Sequence, residues 1–201
     1  KKDVRFIYHT TPHRGLNILV AAFDVLAKKH SNIHLDVYSS FNAYGWPDED
    51  KPYEALFETI RNHPNMTYHG FKPNDEIRKA LEQSDVFAYP CIWPETSCIA
   101  LIEAMNAGLV CIHPNVAALP ETAGGSTLSY DFQEDRDSHV ETFVAMIDNL
   151  LTSIPPSQIC KVAGFSAAYS SAIYNWDARR QQWENLLRFL ITTVKDRENA
   201  E

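Results

Sequence analysis

What most restricts the folds open to this chain is a repeated change of hydrophobic period. Val4 to Tyr8 (VRFIY) is a short apolar, β-rich run, and from Arg14 onward Leu16, Leu19, Val20, Phe23, Leu26 and Ala27 fall on one helical face. The same exchange of strand for helix recurs at Ile33 to Tyr38 and Tyr53 to Asn62, then at Met66 to His69 and Asn74 to Gln83. It recurs again at Asp85 to Tyr89 and Ser97 to Ala107, and a further run follows at Leu109 to His113. Successive βα units need right-handed crossovers, which build a parallel sheet covered on both faces. The expected fold is therefore α/β, a Rossmann-like parallel sheet with helices on both faces. After Gly124-Gly125 the pattern is mostly helical, over Val140 to Leu151, Pro156 to Ser170 and Trp176 to Val194.

Local signals place the boundaries. Asn74, after Pro73, is positioned to cap its helix with Ile77, Ala80 and Leu81 inward, and Gly108 stands where a helix must stop and become a strand. Ser39 to Lys51 (SSFNAYGWPDEDK), rich in turn formers and acids, reads as an exposed loop. Composition then removes classes of function. Lys and Arg number 18 against 26 Asp and Glu, a formal charge of −8, so a polyanion meets repulsion and nucleic acid is not an expected partner. The apolar runs are strand-length, short of the roughly 20 residues that cross a bilayer, and the opening KKDVRFIY has no long apolar stretch of an export signal. A cytoplasmic location is expected, and a first residue other than Met suggests a longer parent sequence. Cys91, Cys98, Cys111 and Cys160 show no zinc or redox spacing and read as small hydrophobes.

In an open parallel sheet, ligands lie beyond the carboxyl ends of the strands, where helix N-termini offer free amides. Two segments sit there. In the first, Tyr8 to Gly15 (YHTTPHRG), Arg14 stands at a helix start and Gly15 lets the backbone turn close, which suits a diphosphate; a plain helix start with a solvated Arg is the competing reading. Neither GxGxxG nor GxxxxGK[ST] is present. In the second, Glu95 lies just before a helix that carries Glu103, so the two carboxylates stand roughly 10 to 12 Å apart. The amides of Thr96, Ser97 and Cys98 would hold an anion between them, with each acid accepting from a diol. For Glu95 the competing reading is an exposed acid that favours the helix dipole. Glu103 stands among Ile99, Ala100, Leu101, Ile102, Ala104 and Met105, so a carboxylate there needs a partner. Asp48-Glu49-Asp50 and Asp135-Arg136-Asp137 match D-x-D but are not expected to hold a metal, and Cys98 at a helix start has no base beside it.

The run DVFAYPCIWPETSCIALIEAMNAGLVCIHPNVAALPE resembles the donor-binding signature of the family 4 glycosyltransferases with the GT-B fold: a strand ending near Pro, E-x7-E, EAM-x-x-G, and a strand leading to a Pro-Glu turn. The resemblance extends to YHTTPHRGL, to YHGFKPNDEIRKALEQSDVF and to Asn175-Trp176-Asp177. It implies that residues 1–201 are the nucleotide-sugar-binding half of a GT-B enzyme, whose acceptor domain lies outside this chain. The activity implied is transfer of a hexose-type sugar, with retention, from a UDP- or GDP-sugar to a glycan, lipid or polysaccharide acceptor. No metal and no other cofactor is implied, and membrane association would come through the absent half. Carried over by residue, Arg14, beside Gly15, contacts the diphosphate, and the backbone around Phe71 and Lys72 faces the base. Glu95 and the amides of Thr96, Ser97 and Cys98 hold the sugar and its phosphate, and Glu103 binds the ribose hydroxyls. Glu95 and Arg14 are the catalytic pair of this reading. His9 stands where many members have Arg, with Thr10 and Thr11 to assist at the phosphates, and Thr96-Ser97-Cys98 replaces the commoner Pro-Phe-Gly. Two other readings stay open: a non-catalytic nucleotide- or partner-binding module, and an isomerase resembling the UDP-sugar epimerases.

Overall fold

The computed structural model describes residues 3–198 of the chain. Six strands form one sheet: β1 (Val4–Tyr8), β2 (Ile33–Val37), β3 (Met66–Tyr68), β4 (Val86–Ala88), β5 (Val110–Pro114) and β6 (Leu128–Tyr130). Their order is β3-β2-β1-β4-β5-β6, and every pairing is parallel. The chain winds outward from β1 to β3, returns to β4 beside β1, and continues to β6, so right-handed crossovers put helices on both faces. The helices are α1 (Leu16–Lys29), α2 (Glu54–Arg61), α3 (Asn74–Glu82), α4 (Ile99–Asn106), α5 (Leu119–Ala123), α6 (Arg136–Thr152), α7 (Pro156–Ile173) and α8 (Trp176–Glu198). The Rossmann-like expectation is met.

Burial explains why the strands were easy to read. Phe6, Ile7 and Tyr8 of β1, all of β4 and all of β5 are buried, as strands covered on both faces must be, so they appear as continuous apolar runs. On α1 the inward face is Leu16, Leu19, Phe23 and Leu26, and Phe6 meets Phe23 edge-on with ring centroids 5.4 Å apart. Helix α1 packs on α6, and α4 packs on α7. No helix among the described residues is long and apolar enough to cross a membrane.

Several boundaries differ from expectation. Asn74 is the first residue of α3, not its cap; extended Pro73 precedes it and no side chain caps that end. Ser39 to Lys51 is not a plain exposed loop, because Ser39 and Ser40 are buried and short 3-10 turns run over Phe41–Tyr44 and Pro47–Tyr53. Asp50 ties the turns together, accepting from Ser40 Oγ and from the Phe41 amide at 2.8 Å. Asp135 caps α6 through the Ser138 amide at 2.8 Å, so one acid of each D-x-D serves the backbone. Strand β6 adds a sixth strand and a fifth ladder after the glycine pair, where only three residues carry the signal. Cys91, Cys98 and Cys111 are buried as expected, but Cys160 is exposed. On α8, Trp176, Trp183, Leu187 and Phe189 remain exposed.

Two histidines lie inside the core. His113 of β5 uses Nδ1 on Pro114 O (2.9 Å) and Nε2 on Thr127 Oγ1 (2.7 Å), while His139 of α6 accepts from the Tyr130 hydroxyl at 2.7 Å. Burial lowers the pKa of both. In the unfolded chain they protonate near pH 6.5, so the unfolded state binds more protons below that value. Stability is therefore present above about pH 6.5 and declines as pH falls toward the lower folded values. The urea midpoint should be lower at pH 5.5 than at pH 7.5; a midpoint that rises with acidification would contradict the assignment.

Candidate functional site

The strand order reverses between β1 and β4, and a crevice opens beyond their carboxyl ends. Gly15 makes it close there. Its φ is 116°, in the left-handed region, and a Cβ on it would stand 2.1 Å from Pro90 O, so only glycine lets the loop after β1 lie against the loop after β4. The Ile92 amide then bonds Arg14 O at 3.3 Å, and the Tyr8 hydroxyl holds Thr11 O at 2.9 Å.

This contact joins Arg14 to Glu95 across 81 residues of sequence. Arg14 Nε donates to Thr11 Oγ1 at 3.0 Å, and Nη1 donates to Glu95 Oε1, which also accepts from the Tyr89 hydroxyl. The Glu95 side chain is 6% exposed. Burial opposes the charge on Arg14, but the hydrogen bond and charge of Glu95 outweigh it and hold the guanidinium pKa above its ordinary value. Burial pushes the Tyr89 phenol far up, so it remains a donor. Trp93 stands 6.0 Å from the guanidinium carbon and edge-on to the His13 ring at 4.5 Å, and His13 stacks on Phe41 at 5.1 Å. Three loops, after β1, β2 and β4, are thus clasped together.

For Glu95 the competing reading fails, and for Glu103 the expected burial does. Glu95 is the buried, partnered carboxylate and not an exposed one. Glu103 is 41% exposed, with His9 Nε2 at 3.5 Å. The reason lies in α4, whose apolar sequence does not mean burial all round: Leu101, Ala104 and Met105 face the core while Ile99 is 69% exposed. Helix α4 begins at Ile99, two residues after the expected Ser97. Cys98 is its flanking residue, whose carbonyl accepts from the Ile102 amide at 3.1 Å and whose thiol meets the Leu101 amide, so among the described residues the amides left without a partner at this end are those of Cys98, Ile99 and Ala100. Burial, then the Glu95 charge, pushes the Cys98 thiol up to about 12, against thiolate formation.

Two adjoining hollows occupy the crevice. One, of about 310 Å3, is lined by His9, Thr10, Thr11, Phe71, Lys72 and Glu103. The other, of about 230 Å3, is lined by Arg14, Glu95, Thr96, Ser97 and Cys98, with Thr10, Tyr44, Ile99 and Ala100 common to both. Gly15 lies beneath, against Pro90. The residues singled out in the sequence therefore meet in one place. Tyr38, Tyr44, Tyr89 and Trp93 were not singled out. Tyr38 lines the first hollow and stacks on His69 with centroids 4.2 Å apart, and His69 bonds buried Asp36 at 2.8 Å. Burial works against the Asp36 charge, yet hydrogen bonds from His69 and Arg5 hold its carboxyl below the usual range. Tyr38 and Tyr89 share one sequence signal, an aromatic directly after a strand, whereas Tyr44 and Trp93 lie farther along the loops.

A model of the family described as Glycosyl transferases group 1 matches residues 1–151. None of the curated proteins compared gives a match. Among solved structures, sucrose-phosphate synthase of Thermosynechococcus elongatus has a TM-score of 0.73 at 19% identity, over 96% of this chain and 46% of that one. Anabaena HepE, solved with UDP-glucose, has 0.68 at 16%, over 94% and 49%. The pneumococcal O-GlcNAc transferase GtfA, solved with UDP and GlcNAc, has 0.70 at 14%, over 94% and 36%. At these identities the likeness is one of fold, and the chain spans about a third to a half of each relative.

Glu95→Ala should strand the Arg14 guanidinium in its half-buried seat and lower the unfolding free energy by about 3 kcal/mol, the cost of removing one member of a buried pair. Glu95→Gln, which keeps an oxygen acceptor, should cost clearly less. Urea unfolding of both variants checks this, and equal losses would mean that packing rather than pairing holds the two loops.

Proposed function

Because the chain belongs to the group 1 glycosyl transferases, we propose that residues 1–201 are the donor-binding half of a family 4 type GT-B enzyme. It passes a hexose-type sugar from a UDP- or GDP-sugar to a glycan, lipid or polysaccharide acceptor, with retention. The observation that carries this reading is the buried Arg14–Glu95 pair set beside the orphan amides of α4, with Glu103 one hollow away. A guanidinium and helix amides suit a diphosphate, and a carboxylate at the far end suits a diol. HepE was solved with UDP-glucose and GtfA with UDP and GlcNAc, in a fold shared with this chain, which favours UDP as the carrier. That the chain spans half or less of those relatives, and that α8 leaves Trp183 and Phe189 exposed, supports a second domain that brings the acceptor.

In this reading the bond from sugar C1 to the diphosphate oxygen breaks with its electron pair leaving on the diphosphate, and the acceptor hydroxyl oxygen bonds C1 as its proton passes to the departing phosphate. Arg14 and the α4 amides stabilise the charge that develops on the leaving group. Glu95 holds Arg14 in place and accepts from a sugar hydroxyl. Glu103 accepts from the ribose diol, and the backbone at Phe71 and Lys72 meets the base. Neither a metal nor another cofactor takes part. The enzyme works in the cytoplasm, with any contact to a membrane surface made through the acceptor half.

Calorimetric titration with UDP, GDP and their glucose conjugates tests the reading. Glu103→Ala should weaken nucleotide and nucleotide sugar alike, by about 1.5 to 3 kcal/mol for a charged hydrogen bond. Glu95→Gln should spare the bare nucleotide and weaken the sugar conjugate. Affinity should be the same in EDTA. No binding by the wild type, or binding that collapses in EDTA, would sink the assignment.

A further inference from the structure

Among the described residues that line the crevice, His9 has a buried imidazole left without a hydrogen bond. Its side chain is 2% exposed, and neither ring nitrogen makes a hydrogen bond. Its ring packs against Phe87 with centroids 5.0 Å apart. A buried donor left unmade is costly, so a structure that keeps one calls for a reason. The nearest acceptor is Glu103 Oε2, 3.5 Å from Nε2, beyond the roughly 2.7 to 3.2 Å of a formed bond. The imidazole is pinned between strand and helix, whereas the Glu103 carboxylate reaches into the hollow, so any closure of the gap comes from the glutamate.

We propose that His9 is a positioning residue for Glu103: with its proton on Nε2, it turns the carboxylate onto the two hydroxyls of a ribose when a nucleotide enters. The inference rests on the reading of this crevice as a nucleotide site. A carboxylate has about four acceptor positions, so one imidazole N–H and two hydroxyls fit at once. Without the imidazole, a half-exposed glutamate keeps several rotamers, and binding must then bear the entropy of fixing one. His9 therefore acts on the ribose through Glu103, and it leaves the phosphates to Arg14.

The test compares wild type, His9→Phe and His9→Gln in titrations with UDP, ADP and GDP and with their 2′-deoxy forms. Phe keeps a flat ring against Phe87 and deletes the N–H; Gln places an amide N–H at the reach of Nε2. His9→Phe should lose about tenfold in affinity for the ribonucleotide and little for the deoxy form, with no fall in melting temperature, since it removes an unpaired buried group. His9→Gln should restore most of the ribose preference. An unchanged ratio of ribo to deoxy affinity in His9→Phe overturns the proposal, and so does an equal loss on both forms, which would put His9 on the phosphates. Failure of all six nucleotides to bind the wild type is a different outcome, which removes the nucleotide reading and this inference with it.

Discussion

The crevice depends on two loops lying closer than ordinary side chains allow. Gly15, with φ at 116° and Pro90 O where a Cβ would be, is the point of contact, and the geometry above it follows. Once the loop after β1 rests on the loop after β4, Arg14 reaches Glu95, the Tyr89 hydroxyl falls on the same oxygen, and the Arg14 carbonyl receives the Ile92 amide. A residue with a Cβ would have to move the backbone of Pro90, and the ion pair would open with it. The sheet supplies the reversal of strand order that makes a crevice; the glycine makes that crevice narrow enough for a guanidinium and a carboxylate to meet.

The far wall is built from a different network. Asp36, at the fourth position of β2, is buried and bonded by Arg5 of β1 at 2.7 Å and by His69 at 2.8 Å, and His69 carries Tyr38 on its face. A charge inside the sheet is tolerated because two donors satisfy it. The result is a rigid aromatic edge on the β2 side of the first hollow, opposite α4. Asp50 does comparable work for the backbone, fixing the turn that brings Tyr44 to the rim.

How much of this could be read from the chain depended on the distance between partners. Fully covered strands and the single inward stripe of α1 are local patterns, so the parallel sheet and its helices were legible. Strand β6 buries only Tyr130 of its three residues, so it offered no continuous apolar run. The crevice residues were legible as a set because topology puts every strand's carboxyl end on one side. Their mutual relations were not. Glu95 finds its partner 81 residues away, and no local pattern distinguishes an acid that pairs at that distance from one that faces water. Glu103 was misjudged for the opposite reason: an apolar helix was taken for a buried one, while Ile99 and Glu103 border an open hollow. Asp50, likewise, caps a turn nine residues before it.

The two oxygens of Glu95 are not equivalent. Arg14 and Tyr89 both donate to Oε1, and among the described residues Oε2 receives no hydrogen bond. One oxygen is thus an anchor and the other a free acceptor whose plane is already fixed by the first. The rotational freedom of that carboxylate was given up when the chain folded, so a hydroxyl that arrives at Oε2 has none of it left to freeze. Such a group selects by angle as much as by charge: a hydroxyl in the carboxylate plane is met at full strength, and an isomer with the same hydroxyl turned out of the plane is met poorly.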